Sequence, residues 1–465
     1  MNETQSQGVL IGAPCSGSGK TVFTLGLLAA LKKKNYPVRS FKCGPDYIDP
    51  MYHTKVLGIP CRNLDTWFTG EEKTRELYQA GNDENTISVV EGVMGLFDGV
   101  AGIRPEGSSY DLARVLNLPV ILVISAGGVG RSLIAMIRGF KDMDQYSLIR
   151  GVFINKISAD MYNRLKPEIE KETGIPCLGF LPKDESLHAP ERHLGLVAPD
   201  ETDQGFIKAA GEAVEEALDW NAFFKISGYT GKNEAKVSPV DQELQMITSD
   251  QAEVSDGLTL AVARDPAFSF LYEDNLRELE RAGVNIRYFS PIKDHALPDG
   301  ISGLYLPGGY PELYLAELSE NISMRQDILE KIRGGLPTIA ECGGFLYLGK
   351  SIKDILEEEY PMVGLLPGNA ERKGKSGKFG YVTVEEVSPT FLPEGLKLKG
   401  HEFHYYESTE EGSSCRMVKP VTEKSWTGIF TTETLWAGFP HIYFPAEPEF
   451  VRVFAGKMMN YSKKL

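Results

Sequence analysis

The chain has 465 residues, 24% of them charged, and its 49 basic against 64 acidic side chains give a formal net charge of −15. This length exceeds one ordinary core, so we predict two domains. The acidic balance argues against nucleic-acid and anionic-membrane partners, which need a basic face. No apolar run approaches the ~20 residues that span a bilayer, and residues 1–7 lack a signal-peptide core, so we expect a cytoplasmic protein. The six cysteines show no C-x-x-C spacing, which indicates neither a zinc site nor a disulfide framework.

Residues 8–31, GVLIGAPCSGSGKTVFTLGLLAAL, read as a buried strand, a loop of small residues and an amphipathic helix. Glycines let successive backbone amides point at one anion, a lysine can reach terminal phosphates, and a threonine hydroxyl suits Mg²⁺. Pro14 stands where the G-x-x-x-x-G-K-[ST] pattern has its first glycine, so the loop is longer or differently turned. The alternative is a glycine-rich turn without a ligand. The predicted ATP-binding residues of this loop are Gly17, Ser18, Gly19, Lys20 and Thr21.

Acidic residues follow the next two predicted strands. A strand runs into Lys42, and the loop GPDYIDP after it contains Asp46 and Asp49, which suit a metal or a substrate. An ordinary solvated turn would use the same residue types. The strand that begins at Ile87 delivers Glu91 at its carboxyl end, where ligands gather in parallel sheets, and this makes Glu91 a predicted Mg²⁺ ligand. The alternative is an acid that caps the strand end.

The rest of the first half continues the alternation of strands and helices. Predicted strands at 118–128 and 149–157 follow in order, and Asn155 ends the second of them, where its amide could read an adenine edge. The rhythm predicts a doubly wound, mostly parallel α/β sheet. Residues 225–257 are polar and lack a sustained period, so we place domains at 1–224 and 258–465 with this linker between them.

The second half contains a candidate nucleophile, Cys342, between a buried strand and a helix. Gly308 and Gly309 follow an earlier strand and can present backbone amides, as an oxyanion hole requires. A sharp strand-to-helix turn would lift the cysteine clear of the backbone, and we expect the helix N-terminus to favour its thiolate. The candidate bases are three histidines, of which the first two are expected on one strand facing the same side: His401, His404 and His441.

With these motifs, the chain resembles the cobyrinic acid a,c-diamide synthase family of glutamine-dependent tetrapyrrole amidating enzymes. The resemblance covers nearly the full length and rests on GAPCSGSGKT, FKCGPDYIDPMYH, NLDTW, VEGVMGLFDG, RHLGLV, VARDPAFSFLYEDNL, LYLPGGYPELY, AECGGFLYL and GHEFHYYES, in the family's order. The first half also resembles dethiobiotin synthetase. The resemblance implies an N-terminal P-loop domain like that synthetase, and a C-terminal α/β domain like the class I glutamine amidotransferases.

The resemblance also implies roles. Cys342 would attack the glutamine amide, Gly309 and Gly343 would stabilise the oxyanion, and His441 would act as base. ATP would then phosphorylate a substrate carboxylate that ammonia displaces, with Mg²⁺ neutralising phosphoryl charge. The implied metal ligands are Thr21, Glu91 and Asp46. The implied substrate residues are Lys42, Tyr47, Asp49, Asp98 and Arg192, with Arg62 and Arg114 as further basic candidates.

One departure concerns the acid that many glutaminase domains of this class place two residues after the histidine. Tyr443 occupies that place, so we predict a Cys–His dyad whose histidine is oriented from elsewhere.

Two groups of alternatives remain at this point. The same reaction could act on hydrogenobyrinate or nickel-sirohydrochlorin, since one sequence does not rank the metal in the ring. In a different class, the chain would be a P-loop partner-binding ATPase with an inert C-terminal domain. The expected partners are small molecules, namely a tetrapyrrole polycarboxylate, glutamine and ATP, and the assembly we consider is a homodimer.

Overall fold

The structure is a computed structural model, and it describes residues 7–81, 85–187, 191–192, 195–196, 204–230, 257–373 and 378–464. The chain divides into two compact units, Met1–Thr248 and Ser249–Leu465. The helix Trp220–Ser227 runs across residue 224, the predicted end of the first domain. Most of the predicted linker, 225–257, lies outside the described residues.

The first unit is built on a seven-stranded parallel sheet. Its strands are β1 Gly8–Gly12, β2 Val38–Cys43, β3 Cys61–Leu64, β4 Ile87–Glu91, β5 Val120–Ser125, β6 Ile149–Asn155 and β7 Cys177–Phe180. Their order, β3-β2-β4-β1-β5-β6-β7, places β1 in the middle, so the loop after β1 opens at the centre of the sheet's carboxyl edge. Helices alternate with the strands, and this confirms the predicted doubly wound α/β fold. Two further short strands, β8 Glu191–Arg192 and β9 Gly195–Leu196, form a separate antiparallel pair.

The helix after the P-loop, α1 Lys20–Lys33, is buried more completely than its sequence predicts. We expected one apolar face, but Thr24 and Gly26 are buried along with the leucines. A second helix, α7 (Gln204–Ala217), packs on α1 so closely that a Cβ on Gly26 would lie 2.6 Å from the carbonyl oxygen of Ala210. The other helices are α2 Ile48–Met51, α3 Thr66–Gln79, α4 Ser109–Leu116, α5 Ser132–Met143, α6 Ala159–Thr173, α7 Gln204–Ala217 and α8 Trp220–Ser227.

The second unit is built on a six-stranded sheet of order β11-β10-β12-β13-β23-β22, parallel except for its last pair. A four-stranded sheet, β15-β14-β16-β19, and an antiparallel five-stranded sheet, β21-β20-β17-β18-β24, complete it. The strands are β10 Leu258–Ala263, β11 Val284–Phe289, β12 Gly303–Leu306, β13 Thr338–Glu341, β14 Ser351–Lys353, β15 Glu359–Pro361, β16 Asn369–Arg372, β17 Gly380–Glu386, β18 Lys397–Glu402, β19 Tyr406–Ser408, β20 Cys415–Val418, β21 Ser425–Gly428, β22 Phe430–Thr431, β23 Leu435–Gly438 and β24 His441–Ile442.

Apolar side chains fill both faces of the six-stranded sheet. One cluster includes Phe345 and Leu346 beside Cys342, and another includes Tyr305 and Trp436. In the part of the chain that the structure describes, no helix combines the length and the apolar character that a membrane crossing needs. The helices of this unit are α9 Glu273–Arg281, α10 Leu315–Glu320, α11 Ile322–Arg333, α12 Gly343–Leu348 and α13 Pro448–Ser462.

Candidate functional site

The first candidate site lies around the loop between β1 and α1. The Lys20 ammonium folds back over this loop and donates to the carbonyl oxygens of Cys15, at 3.4 Å, and Met94, at 2.5 Å. Burial and the nearby charge of Lys42 lower the pKa of Lys20 to about 8. A cation held by two carbonyl dipoles at a helix start can turn to an incoming anion.

A buried network of charged side chains lies directly beside the loop. The Thr21 hydroxyl donates to Oε1 of Glu91 at 2.7 Å, and the Lys42 ammonium donates to the same oxygen at 3.2 Å. The other carboxylate oxygen of Glu91 lies 3.3 Å from Nε2 of His53. Burial opposes the charge of Glu91, but Lys42 and His53 hold its pKa below the usual range. Glu91 is therefore an anion with its carboxylate beside the Thr21 hydroxyl.

His53 was not singled out from the sequence, although it closes the motif FKCGPDYIDPMYH. It lies on the short π-helix Tyr52–Val56 that continues α2, four residues after Asp49. The side chain is fully buried, and its Nδ1 lies 3.1 Å from the Ser40 hydroxyl. Burial opposes the charge on the ring, but Cys61 and Glu91 raise the pKa of His53 to about 10. The i, i+4 spacing of Asp49 and His53 was the available signal.

The predicted substrate residues near this network have defined local partners. Lys42 forms a short ion pair with Asp49, and burial together with the carboxylates of Asp46 and Glu91 raises the pKa of Asp49. Asp46 Oδ1 accepts the backbone amides of residues 48 and 49, so this oxygen caps the short helix α2. Its other oxygen lies 3.8 Å from Lys42. Lys42 is therefore already neutralised by acids of the protein in this state.

Two further predicted substrate residues lie in the same part of the unit. Asp98 is exposed, and its Oδ2 accepts the backbone amide of Gly95 at 3.0 Å, which closes the turn after β4. Tyr47 is half-buried and directly precedes α2. These positions leave the roles of Asp98 and Tyr47 toward a substrate as predictions.

The other basic candidates divide by their contacts. Arg62 is buried and donates to the carbonyl oxygen of Leu77, and Arg114 pairs with Asp111 and with a second acid, Glu71. These contacts give Arg62 and Arg114 structural roles within the unit, and any contact of theirs with a substrate stays a prediction. The backbone of Arg192 forms strand β8, and its side chain lies outside what the structure describes.

Asn155 hydrogen-bonds the backbone of the loop between β1 and α1. Its amide nitrogen donates to the Ser18 carbonyl at 3.0 Å, and its Oδ1 accepts the backbone amide of Lys156 at 2.9 Å. Both ends of the amide are engaged with the protein, so the structure gives Asn155 a task in shaping the loop. Reading of an adenine edge by this residue stays a prediction.

Replacing Gly19 by alanine is expected to destabilise the unit more than replacing Gly17. Both have positive φ, 101° and 77°, where alanine costs ~1–2 kcal/mol. A Cβ on Gly19 would also lie 2.0 Å from the Asn155 amide nitrogen, whereas one on Gly17 meets nothing within 4 Å. Urea unfolding should show coupling of about 1 kcal/mol or more between Gly19→Ala and Asn155→Ala. Additivity of the two changes, as expected for Gly17→Ala with Asn155→Ala, would contradict this contact.

The second candidate site lies at the turn between β13 and α12. Cys342 occupies this turn with φ 46° and ψ −105°, a conformation that costs a non-glycine residue of order 1–3 kcal/mol. Its backbone amide donates to the Gly438 carbonyl at 2.8 Å, and its Sγ lies 4.0 Å from the Phe403 carbonyl oxygen. The strained turn is the arrangement that the sequence predicted for a nucleophile.

The ionisation of Cys342 differs from the expectation. We expected the helix N-terminus to favour the thiolate, but burial and the carboxylates of Glu312, Glu341 and Glu402 raise the pKa of the thiol. The Gly343 amide, which hydrogen-bonds the sulfur, lowers the pKa of the thiol but offsets only part of the effect of burial and of the carboxylates. The resting side chain is a neutral thiol, so it needs a base when it reacts.

The two glycines predicted for the oxyanion hole lie against each other. A Cβ on Gly343 would lie 3.0 Å from the backbone nitrogen of Gly309 and 2.9 Å from Cδ of Pro311. A Cβ on Gly309 would lie 2.0 Å from the carbonyl oxygen of Ala267. A side chain at either position would clash, and the close packing places the Gly309 backbone nitrogen against Gly343, whose own amide hydrogen-bonds the Cys342 sulfur.

His441 reaches this site from strand β24. A Cβ on Gly308 would lie 2.3 Å from Cε1 of His441, so the imidazole covers the PGG loop. Burial, with His401 and His404, lowers the pKa of His441 to about 3, which leaves a neutral ring able to accept a proton. Nδ1 of His441 lies 3.9 Å from Oε2 of Glu341, the residue before Cys342.

The other two histidines are not placed as expected. Strand β18 ends at Glu402, so it contains His401 but not His404. Residues three apart on a strand would face opposite sides in any case, because the side-chain period is two. His401 pairs directly with His441 in the antiparallel register, and His404 stacks on Phe439 with ring centroids 3.8 Å apart. Both histidines therefore lie near His441, and their charges would act on its ring.

Comparison with known families assigns both units. Residues 9–197 match the CobQ/CobB/MinD/ParA nucleotide binding domain, and residues 259–449 match the CobB/CobQ-like glutamine amidotransferase domain. A nucleotide-binding unit and a glutamine amidotransferase unit in one chain, with the sites described above, define a glutamine-dependent amide ligase.

Curated relatives extend over nearly the whole chain. A protein of Caldanaerobacter subterraneus subsp. tengcongensis, named cobyrinate a,c-diamide synthase, is 37% identical over 98% of this chain and 99% of its own. Proteins of the same name from Picrophilus torridus and a Synechococcus strain are 36% and 35% identical, over 97% and 96% of this chain and 99% and 97% of theirs. The chain belongs to the cobyrinate a,c-diamide synthase family.

Proposed function

We propose that the chain amidates the a and c acetate carboxylates of cobyrinate with nitrogen from glutamine, driven by ATP through a phosphorylated carboxylate. The relatives' printed name supports this substrate. The observation that carries the proposal is the presence in one chain of two sites. One is the Lys20 and Thr21–Glu91 arrangement at a glycine-rich loop. The other is Cys342 in a strained turn, in a unit where Gly343 packs on Gly309 and the His441 imidazole lies against Gly308.

In the glutamine half-reaction, Cys342 would lose its proton to His441 and its sulfur would bond to the side-chain amide carbon. The backbone amides of Gly309 and Gly343 would stabilise the resulting oxyanion. The proton on His441 would pass to the leaving nitrogen, so ammonia departs and a thioester remains. Water would then hydrolyse the thioester to glutamate and restore the thiol.

In the synthetase half-reaction, a substrate carboxylate oxygen would take the γ-phosphoryl group of ATP, which gives an acyl phosphate and ADP. Ammonia would attack the acyl carbon, an amide bond would form, and inorganic phosphate would leave. Lys20 would turn from the Cys15 and Met94 carbonyls to the terminal phosphates, where its charge offsets that of the transferring group. Ser18, Gly17 and Gly19 would supply backbone amides to the phosphates.

The residues present fit a magnesium ion. Thr21 Oγ1 and Glu91 Oε1 are hard oxygen ligands 2.7 Å apart, and Asp46 is the further candidate. In the described ranges, no group of three or more His, Cys, Asp or Glu side chains could hold a metal. Mg²⁺ typically binds through one or two carboxylates and completes its shell with phosphates and water. When bound, the ion would neutralise developing phosphoryl charge.

The assay that tests the function supplies amide-¹⁵N glutamine, ATP and Mg²⁺ with cobyrinate, hydrogenobyrinate or nickel-sirohydrochlorin in parallel. We expect mass spectrometry to show two ¹⁵N atoms in cobyrinate. Conversion of nickel-sirohydrochlorin alone would overturn the substrate assignment and keep the amide-ligase chemistry. ATP hydrolysis without labelled product from any of them would instead favour the partner-binding ATPase alternative.

Removal of divalent metal should separate the two half-reactions. With EDTA in excess, amidation with free ammonium chloride as nitrogen donor is expected to fall at least about 100-fold, because phosphoryl transfer loses its charge neutralisation. Basal glutamate release should change less than about twofold, since the Cys342 site has no metal ligand in its proposed chemistry. Ammonia-dependent amidation that survives EDTA would contradict the Thr21–Glu91 metal assignment.

A further inference from the structure

Tyr443 stands two residues after His441, where many glutaminase domains have an acid, and its side chain makes contacts away from the imidazole. The Tyr443 hydroxyl contacts Oδ2 of Asp274 at 3.1 Å, and its ring stands edge-on to Tyr272 with centroids 5.1 Å apart. Asp274 and Tyr272 lie at the start of α9, so Tyr443 ties β24 to that helix. His441 therefore has to be oriented by a different side chain.

Glu341 lies where such a side chain is needed. It is the last residue of β13 and precedes Cys342, and it is 1% exposed. Its Oε1 accepts the backbone amide of Ile442 at 2.9 Å, and its Oε2 lies 3.9 Å from Nδ1 of His441. The Glu341 carboxylate thus accepts a hydrogen bond from the backbone of β24 and lies close to the imidazole of His441 on the same strand.

A second donor fixes the same carboxylate. The Tyr305 hydroxyl, from the neighbouring strand β12, donates to Oε2 of Glu341 at 2.8 Å. Both oxygens of Glu341 accept hydrogen bonds, which is the pattern of an ionised carboxylate. Burial opposes that charge and raises the pKa of Glu341 to about 7, while the Ile442 amide and the Tyr305 hydroxyl lower it.

The chemistry requires a negative charge at this place. When His441 takes the thiol proton it becomes a buried cation, and His401 and His404 both disfavour that cation. An ionised Glu341, whose Oε2 lies 3.9 Å from Nδ1, would counteract them once the ring is charged, because Coulomb interactions are strong where water is excluded. Nδ1 can then keep its proton toward Glu341, which leaves Nε2 as the proton acceptor.

We propose that Glu341 is the positioning residue of His441: it holds the imidazole over Gly308, selects its tautomer and stabilises the charge that it gains from Cys342. The proposal rests on the roles proposed above for Cys342 and His441. It assigns to Glu341, the residue before Cys342, the role that related glutaminase domains give to an acid two residues after the histidine, where this chain has Tyr443.

The test compares Glu341→Gln with Glu386→Gln. Glu386 is a matched control because it is a buried acid of the same unit whose oxygens accept the amides of Phe391 and Leu392. For Glu341→Gln, we expect kcat for glutamate release to fall roughly 100-fold, within the range for general acid–base effects, with KM for glutamine within threefold. Glu386→Gln should keep kcat within about threefold. Ammonia-dependent amidation should persist in both variants.

A second variant tests the same role if Glu341→Gln does not fold. Tyr305→Phe keeps the carboxylate and removes one of its donors, and we expect kcat to fall about threefold to tenfold at unchanged KM. A kcat equal to that of the control in either properly folded variant overturns the role of Glu341, and so does a loss confined to KM. Glutamate release that survives Cys342→Ser would instead overturn the proposed function itself, so the two failures are distinguishable.

Discussion

Replacing Cys342 by serine is expected to reduce glutamate release and glutamine-dependent amidation by at least about 1000-fold. A serine hydroxyl is a far weaker nucleophile than a thiolate, and the neutral His441 imidazole, with a pKa lowered to about 3 by burial and its neighbouring histidines, is a weak base toward it. Amidation with ammonium chloride should continue at near the original rate, because the nucleotide loop belongs to the other unit. Steady-state glutamate release and labelled-product formation measure the two effects.

Cys415→Ser provides the matched control for this prediction. Cys415 lies in β20 of the same unit and is as buried as Cys342, but it occupies a regular strand position and has no strained turn. We expect it to lose stability from the buried hydroxyl, by about 1–3 kcal/mol, and to keep its kcat. A Cys342→Ser variant that releases glutamate at the rate of Cys415→Ser would refute the nucleophile assignment.

Replacing Lys20 by alanine is expected to reduce amidation strongly and to spare glutamate release, the opposite of the result expected for Cys342→Ser. Amidation with either nitrogen donor should fall at least about 100-fold, because the terminal phosphates lose the cation that offsets their charge. Basal glutamate release in the absence of ATP should stay within about twofold. The fold should survive, since the variant removes a donor from only the Cys15 and Met94 carbonyls and leaves the Thr21–Glu91 contact in place.

The control for Lys20→Ala is Lys33→Ala at the other end of α1. Lys33 forms an exposed ion pair with Glu215, and exposed pairs of this kind contribute little to stability. We expect its amidation rate to equal that of the unchanged enzyme. If Lys20→Ala keeps the rate of Lys33→Ala at saturating ATP, the loop is not the phosphoryl-transfer site, and the nucleotide serves another purpose.

The fold was predictable from local pattern to a large extent. Short, mainly apolar runs separated by helical periods predict buried parallel strands, and β1, β4, β5 and β6 are such strands. Helix α1 shows where this reasoning failed. The burial of Gly26 on this helix depends on α7, which packs against it from a distant part of the sequence.

The geometry of the two turns was predictable from the glycines near them. Gly17 and Gly19 adopt positive φ in the loop before α1, and a Cβ on Gly343 or Gly344 would lie only 2.9 Å or 2.1 Å from a neighbouring atom, so both turns depend on glycines close together in the chain. The strand-end position singled out Asn155 in the sequence, but it did not predict the partner of its side chain. Its amide contacts the Ser18 carbonyl from a strand more than a hundred residues away, and only the packing of β6 near the loop makes that contact.

Residues close together in the chain were enough to predict the two α/β units, the glycine-rich loop before α1 and the sharp turn at Cys342. The pairing of the buried charges depends instead on contacts between elements that are distant in sequence. Lys42 meets Glu91 because β2 and β4 are adjacent in the sheet, and Glu341 meets His441 because β24 returns beside the end of β13. A buried charge is stable only beside its partner, and that partner is chosen by the fold, not by distance along the chain.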